Sequence, residues 1–324
     1  MDIHAEPNQA VIFSVPTEIL LEIVSYFYDT PIPYERYRRA NRGAEELSTG
    51  RFEILRALSL TCRRLRSVFQ ALVWAHLEAL PAPFDGTRRH VSLFKKRMTG
   101  ILKTPSLPRG VRSILVSLDL STPNWNLFTL FVRFLQATPN LAALHIVDIS
   151  DRHAGVLSER LEPHTFPSVT ALTIPSSLSR AVASFPALRV LICADSFVSE
   201  YDAKVLLRDT SAACPLLECL ANLTPSAPVL KSIVTRFPGI QTLRFRHPLK
   251  SDALALLQPL HKLQSLEFPF QQQRRGESLE RVCDAARALF LTHGHAPMLV
   301  EQSAPVADIG DVMIKVSRAV RESM

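Results

Sequence analysis

The sequence predicts an α/β fold: a small all-α module at the N-terminus, then an irregular repeat array built on a parallel sheet. Three observations predict it. A short phrase, apolar-x-x-apolar-x-(usually apolar), returns seven times between Val111 and Phe268. Stripes of helical spacing lie between its copies, and two helical patterns stand ahead of the first copy. An ordinary α/β domain is the alternative architecture.

The first helical pattern is Phe13–Phe27, FSVPTEILLEIVSYF. Pro16 suits a first helical turn, where its missing N–H costs nothing. Glu18 sits at the end where the helix dipole favours a negative charge. Ile19, Leu20, Ile23, Val24 and Phe27 then share one face. The second pattern steps by three and four through Leu55, Leu58, Cys62, Leu65, Phe69, Leu72 and His76, with Leu77 continuing the stripe. Arg56, Arg63, Arg64 and Arg66 occupy the opposite face, so this is one amphipathic helix or two nearly collinear ones. Two or three short helices bury too little to stand alone, and they need a partner surface in the chain or on another protein.

Composition narrows the function classes. Hydrophobic residues make up 47% and charged residues 21%, enough apolar material to bury a core and too little charge for wholesale disorder. With 10 Gly and 23 Pro, the chain favours regular breaks between short elements over glycine-rich phosphate loops. The net charge of +7 is local: Gly86–Leu118 carries eight Lys/Arg and no Asp/Glu. Residues 81–108 are therefore expected to form a solvated basic linker, and nucleic-acid binding is not the expected role. The five cysteines are scattered and odd in number. Met1–Pro7 lacks the basic and apolar regions of a signal peptide, and no run of about 18 apolar residues could span a membrane. A reducing intracellular compartment, cytoplasm or nucleus, is expected, with the cysteines as buried small apolar groups and no metal or cofactor.

The N-terminal patterns resemble an F-box. Val15-Pro16-Thr17-Glu18-Ile19-Leu20 is similar to its opening, Leu58-Ser59-Leu60-Thr61-Cys62-Arg63-Arg64-Leu65 to its second block, and Trp74 to its closing tryptophan. The resemblance covers residues 13–80, after a tail over 1–12, and departs from the family in a polar insertion over 29–51. It implies docking on the Skp adaptor, and through it on a cullin, in a ubiquitin ligase. Val15, Pro16, Ile19, Leu20, Leu58, Cys62 and Trp74 are the adaptor-binding residues it implies. Ile23 and Leu65 are expected to hold the module together instead.

The repeated phrases begin at Val111, Leu141, Val169, Leu188, Leu217, Ile240 and Leu263, with Pro139, Pro167, Pro186, Pro215 and Pro238 two residues ahead of five of them. Each phrase alternates inward and outward side chains as a strand does. Helical stripes fall between them at Leu127–Leu135, Val229–Phe237 and Leu279–Phe290. Strand–helix alternation gives a parallel sheet backed by helices. The 19-residue step from Val169 to Leu188 leaves room for only about two helical turns. Periods of 20–30 residues resemble a leucine-rich-repeat solenoid, here over 109–295. Residues 296–324 are expected to cap it, with a strand at Met298-Leu299-Val300 and a helix carrying Val312, Val316 and Val320.

In such an array Leu115, His145, Thr173, Ile192, Ala221, Arg244 and Glu267 would point to the concave side, with Arg246 following on the parity of Arg244. His145, Arg244, Arg246 and Glu267 are the candidate contacts to an unidentified target protein. No GxSxG, HExxH or P-loop appears, and no enzyme activity is expected. The expected role is a substrate-recruiting ubiquitin-ligase subunit; the alternative is a leucine-rich-repeat scaffold acting outside a ligase.

Overall fold

The computed structural model describes residues 16–25, 55–80, 87–118, 125–195, 197–270, 279–291, 298–303 and 312–318. The N-terminal tail 1–12 and the insertion 29–51 lie outside them. The chain is a mixed α/β protein with a mostly parallel sheet. Its strands are β1 (His76–Ala79), β2 (Ser113–Ser117), β3 (Ala143–Asp148), β4 (Ala171–Ile174), β5 (Val190–Cys193), β6 (Cys219–Leu223), β7 (Thr242–Phe245), β8 (Ser265–Phe270), β9 (Met298–Ser303) and β10 (Val312–Arg318). They form one ten-stranded sheet in the order β1-β2-β3-β4-β5-β6-β7-β8-β10-β9. β1 to β8 are parallel in sequence order, and β10 runs antiparallel to both β8 and β9.

All seven phrases become consecutive strands, β2 to β8, each starting two residues into its phrase. One turn delivers every phrase. The N–H of its first residue donates to the carbonyl three residues back: Val111 to Pro108, Leu141 to Thr138, Val169 to Phe166, Leu188 to Phe185, Leu217 to Cys214, Ile240 to Phe237 and Leu263 to Leu260. The recurrent proline occupies the second position of that turn, where its fixed φ is already correct and its missing N–H is not needed. The second residue of each phrase then donates to its counterpart in the phrase before: Ala142 to Arg112, Thr170 to Ala142, Arg189 to Thr170, Glu218 to Arg189, Gln241 to Glu218 and Gln264 to Gln241. Pairing therefore starts one residue before the strands and fixes their register.

That register sorts side chains by face. Leu77, Ile114, Leu144, Leu172, Leu191, Leu220, Leu243 and Leu266 lie side by side across β1 to β8 and are buried. Helices cover this face, among them Trp125–Ala137, Asp151–Leu161, Glu200–Ala213, Ala227–Arg236 and Leu279–Leu291. Their stripes supply Phe128, Phe131, Phe134, Leu157, Leu206, Ile233 and Phe290 to the main core. Over the 19-residue step the connection shrinks to a kinked 3-10 helix, Ser176–Ser184.

Three segments differ from expectation. Leu77 does not extend the preceding helix. His76–Ala79 is a strand, paired in parallel with β2, so the sheet begins well before residue 109. Residues 81–108 are not simply a linker: Thr87–Lys103 is a helix whose Phe94, Met98 and Ile101 are buried in the main core. Its charges mask a stripe at steps of four and three. The C-terminal segment carries the expected strand, but Val312–Arg318 is β10 and not a helix. Val312, Val316 and Val320 fit a four-residue step, yet Ile314 between them makes the same set alternate, and β-branched residues favour a strand.

Gly100 sits inside the helix Thr87–Lys103, and a Cβ built there meets nothing within 4 Å. Its backbone freedom is lost without a packing return, so Gly100→Ala should stabilise the chain by about 1 kcal/mol. Urea unfolding of the two proteins checks this.

Candidate functional site

The N-terminal helices form their own small core. Leu20 from the helix Thr17–Ser25 packs with Leu55, Leu65, Phe69 and Val73, and Leu58, Cys62, Val68 and Leu72 close in around them. Residues 55–61 and Arg63–Ala75 are two helices broken at Cys62. The break is local chemistry: the extended Cys62 caps the second helix, its sulfur accepting from Leu65 N–H at 3.4 Å. Before the first helix, Pro16 contributes its carbonyl, which accepts from Leu20 N–H at 3.2 Å.

This packing divides the seven residues implied by the F-box resemblance. Leu20 is buried, and Leu58 and Cys62 are half-buried against the same cluster. Pro16 is exposed and Ile19 is 46% exposed, so both remain open. Trp74 packs against the main core under the sheet, because Arg63–Ala75 runs directly into β1 and carries its last turn with it. Val15 lies outside the described residues. Leu65 is buried as expected, whereas the side chain of Ile23 is not described. Sequence reasoning missed Leu60, which is 63% exposed. The signal was present: Leu60 is an apolar residue off the buried stripe of its own helix.

A second candidate surface is the sheet face away from the helices. Glu78, Leu115, His145, Thr173, Ile192, Ala221, Arg244, Glu267, Lys315 and Glu301 align across all ten strands. The sequence reading placed seven of these in one row, and the register does the same. It differs in their exposure. Leu115, Ile192 and Ala221 join Val147 and Ala194 in a third buried cluster. His145 is 4% exposed and its Nδ1 lies 2.7 Å from Thr173 Oγ1. Burial, and secondarily the charge of His76, push its pKa down to about 4, so it is neutral near pH 7. His145, named from the sequence among the candidate contacts to a target protein, is thus a buried side chain within the sheet face.

The charged end of the row is mostly engaged within the chain. Arg244 Nε lies 3.0 Å from Glu267 Oε2, at an angle that makes an ion pair without a hydrogen bond. Arg246 donates from Nη1 to the Asp195 carbonyl at 2.9 Å. Asp195 Oδ2 in turn accepts from Ser176 N–H at 2.7 Å and Ser176 Oγ at 2.5 Å, tying the ends of β4, β5 and β7 together.

The thiols of Cys193, Cys214 and Cys219 are poorly suited to nucleophilic work. Burial pushes Cys214 and Cys219 up to about 11, and burial followed by Asp195 raises Cys193 further. Among the described residues no group of three or more His, Cys, Asp or Glu could hold a metal ion, and no helix is long and apolar enough to cross a membrane. Fold and surface together define a mixed α/β protein with a mostly parallel sheet and a separate helical cluster at its N-terminus. A scan against models of known protein families finds no match, and a search of curated proteins finds none.

Proposed function

We propose that this chain is a substrate-recruiting subunit of a cullin–RING ubiquitin ligase, with an F-box that binds the Skp adaptor and an irregular leucine-rich-repeat solenoid that binds a target protein. The observation that carries the reading is the N-terminal cluster. Five buried residues hold three short helices together while Pro16, Ile19 and Leu60 stay on the surface. Aliphatic side chains left out of a core this small are suited to docking in an apolar groove. The sequential parallel strands, one per phrase and all entered through one turn, support the solenoid. In this role the chain does no covalent chemistry. It holds a target close to a charged conjugating enzyme and raises the effective concentration of the target's lysines.

Purified full-length chain should bind purified Skp adaptor. Ile19→Asp should weaken that binding about 30-fold, the loss of one central apolar anchor, and leave the urea midpoint unchanged because Ile19 is exposed. Adaptor binding that is absent, or indifferent to Ile19→Asp, would remove the assignment.

A further inference from the structure

Phe94, Met98 and Ile101 fix which side of the helix Thr87–Lys103 faces the core. The turn of an α-helix then places Leu93, Lys96, Gly100 and Lys103 in one strip on the opposite side. All four are exposed, Leu93 to 45%. They follow one another at steps of three, four and three, the spacing of a seam between two helices.

Folding alone does not account for this strip. Gly100 lies inside the helix with open space where its Cβ would stand, so its cost in helix stability has no packing return within the chain. The helix carries six Lys/Arg and no Asp/Glu. Trp125–Ala137, which packs beside it through Phe131 against Phe94, adds Arg133 and no acid. Elsewhere exposed cations have an acid one turn away on their own helix: Lys204 Nζ lies 2.7 Å from Glu200 Oε1, and Arg287 Nη1 lies 2.8 Å from Asp284 Oδ1. The side chains of Lys96 and Lys103 make no such pair among the described residues. Lys103 suits the C-terminal end of the helix dipole, but Lys96, in mid-helix, has no such compensation. Arg97 is different, because its Nη1 donates to the Glu78 carbonyl at 2.8 Å and ties the helix to β1. Local rules broken without a gain in folding mark positions kept for another purpose.

We propose that the strip Leu93–Lys96–Gly100–Lys103 docks an acidic helix of another protein. The glycine lets the two backbones approach closely, as small residues do at helix crossings. Leu93 offers an apolar contact. Lys96 and Lys103, two turns and about 10 Å apart along the helix, meet carboxylates of the same spacing. A nucleic acid fits less well, because phosphates would cover Leu93 without an apolar partner, and Phe94, the phenylalanine of this helix, is buried and unable to stack on a base. A membrane surface also fits less well, because the apolar stripe that would enter it is already committed to the core. The strip shares no residue with the adaptor-binding set, and its test uses no adaptor.

The probe is a fluorescein-labelled synthetic helix with Leu and Glu at steps of three and four along one face. Its binding to the full-length chain is followed by anisotropy at about 50 and about 300 mM NaCl. The chain should bind it about tenfold more tightly than the same peptide with Gln in place of every Glu, and the preference should shrink at the higher salt. Lys96→Glu/Lys103→Glu should abolish the preference. Gly100→Gln should raise the urea midpoint, because glutamine is the better helix former, and yet weaken peptide binding about tenfold by filling the line of approach. Equal binding of the Glu and Gln peptides overturns the proposal, and so does binding that ignores either variant. Tighter binding to a DNA duplex or to phosphatidylserine vesicles than to the acidic peptide overturns the choice of a protein partner.

Discussion

Leu191→Ala should lower the stability of the chain by about 4 kcal/mol. Leu191 is 1% exposed in β5, with Leu172 and Leu220 as its register partners on either side. Truncating it removes buried methyl groups and leaves a cavity that neighbouring strands, held by their ladders, cannot close. In a sheet whose strands pair in sequence order, a gap in β5 weakens the packing against both neighbouring strands, β4 and β6. A loss of that size is a large share of an ordinary folding free energy. Val190→Ala, one residue earlier and on the opposite face, should cost only about 1 kcal/mol, because Val190 is half-buried. Urea unfolding of both variants checks the pair. Equal losses would mean that the face assignment of β5 is wrong.

Acid should destabilise the protein by about 3 kcal/mol through His145 alone as the pH falls from 6.5 to 4. Its folded-state value lies below the ordinary 6.5, at about 4, first because it is buried and then because of His76. In that window the unfolded chain binds a proton that the folded chain does not. Stability from this group is therefore complete above pH 6.5 and is lost as the pH drops toward 4. His145→Gln places no titrating group there and should remove most of the loss, while a side-chain amide can still reach Thr173 Oγ1. Urea unfolding at pH 7.5 and pH 4.5 on both proteins measures the difference. An unaltered chain no more acid-sensitive than His145→Gln would show that His145 is solvated in the folded protein.

Much of the fold was legible because its signals are short-ranged. The seven strands follow from a phrase of six residues, and the turn before most of them is marked by a proline whose φ fits. The stripes at 127–135, 229–237 and 279–290 became helices because a step of three and four brings side chains to one face. The same reasoning failed where two periods overlap, as at Val312–Arg318, or where charge hid the apolar stripe, as at Phe94, Met98 and Ile101. Of the candidate site, Pro16 and Ile19 were picked out by the F-box resemblance and are exposed, whereas Leu60 was overlooked and Trp74, which the same resemblance set among the adaptor-binding residues, packs against the main core.

The sequence by itself determined the seven strands that follow the repeated phrase, the helices at the stripes 127–135, 229–237 and 279–290, and which strand side chains stand together in a row. Periodicity does this within a single element, without reference to anything across the molecule. Only the tertiary structure decided that His76–Ala79 joins the sheet, that Trp74 belongs to the main core, and that His145 is dry. Burial depends on what lies opposite a side chain, and that neighbour arrives from a distant part of the chain whose position no local pattern records.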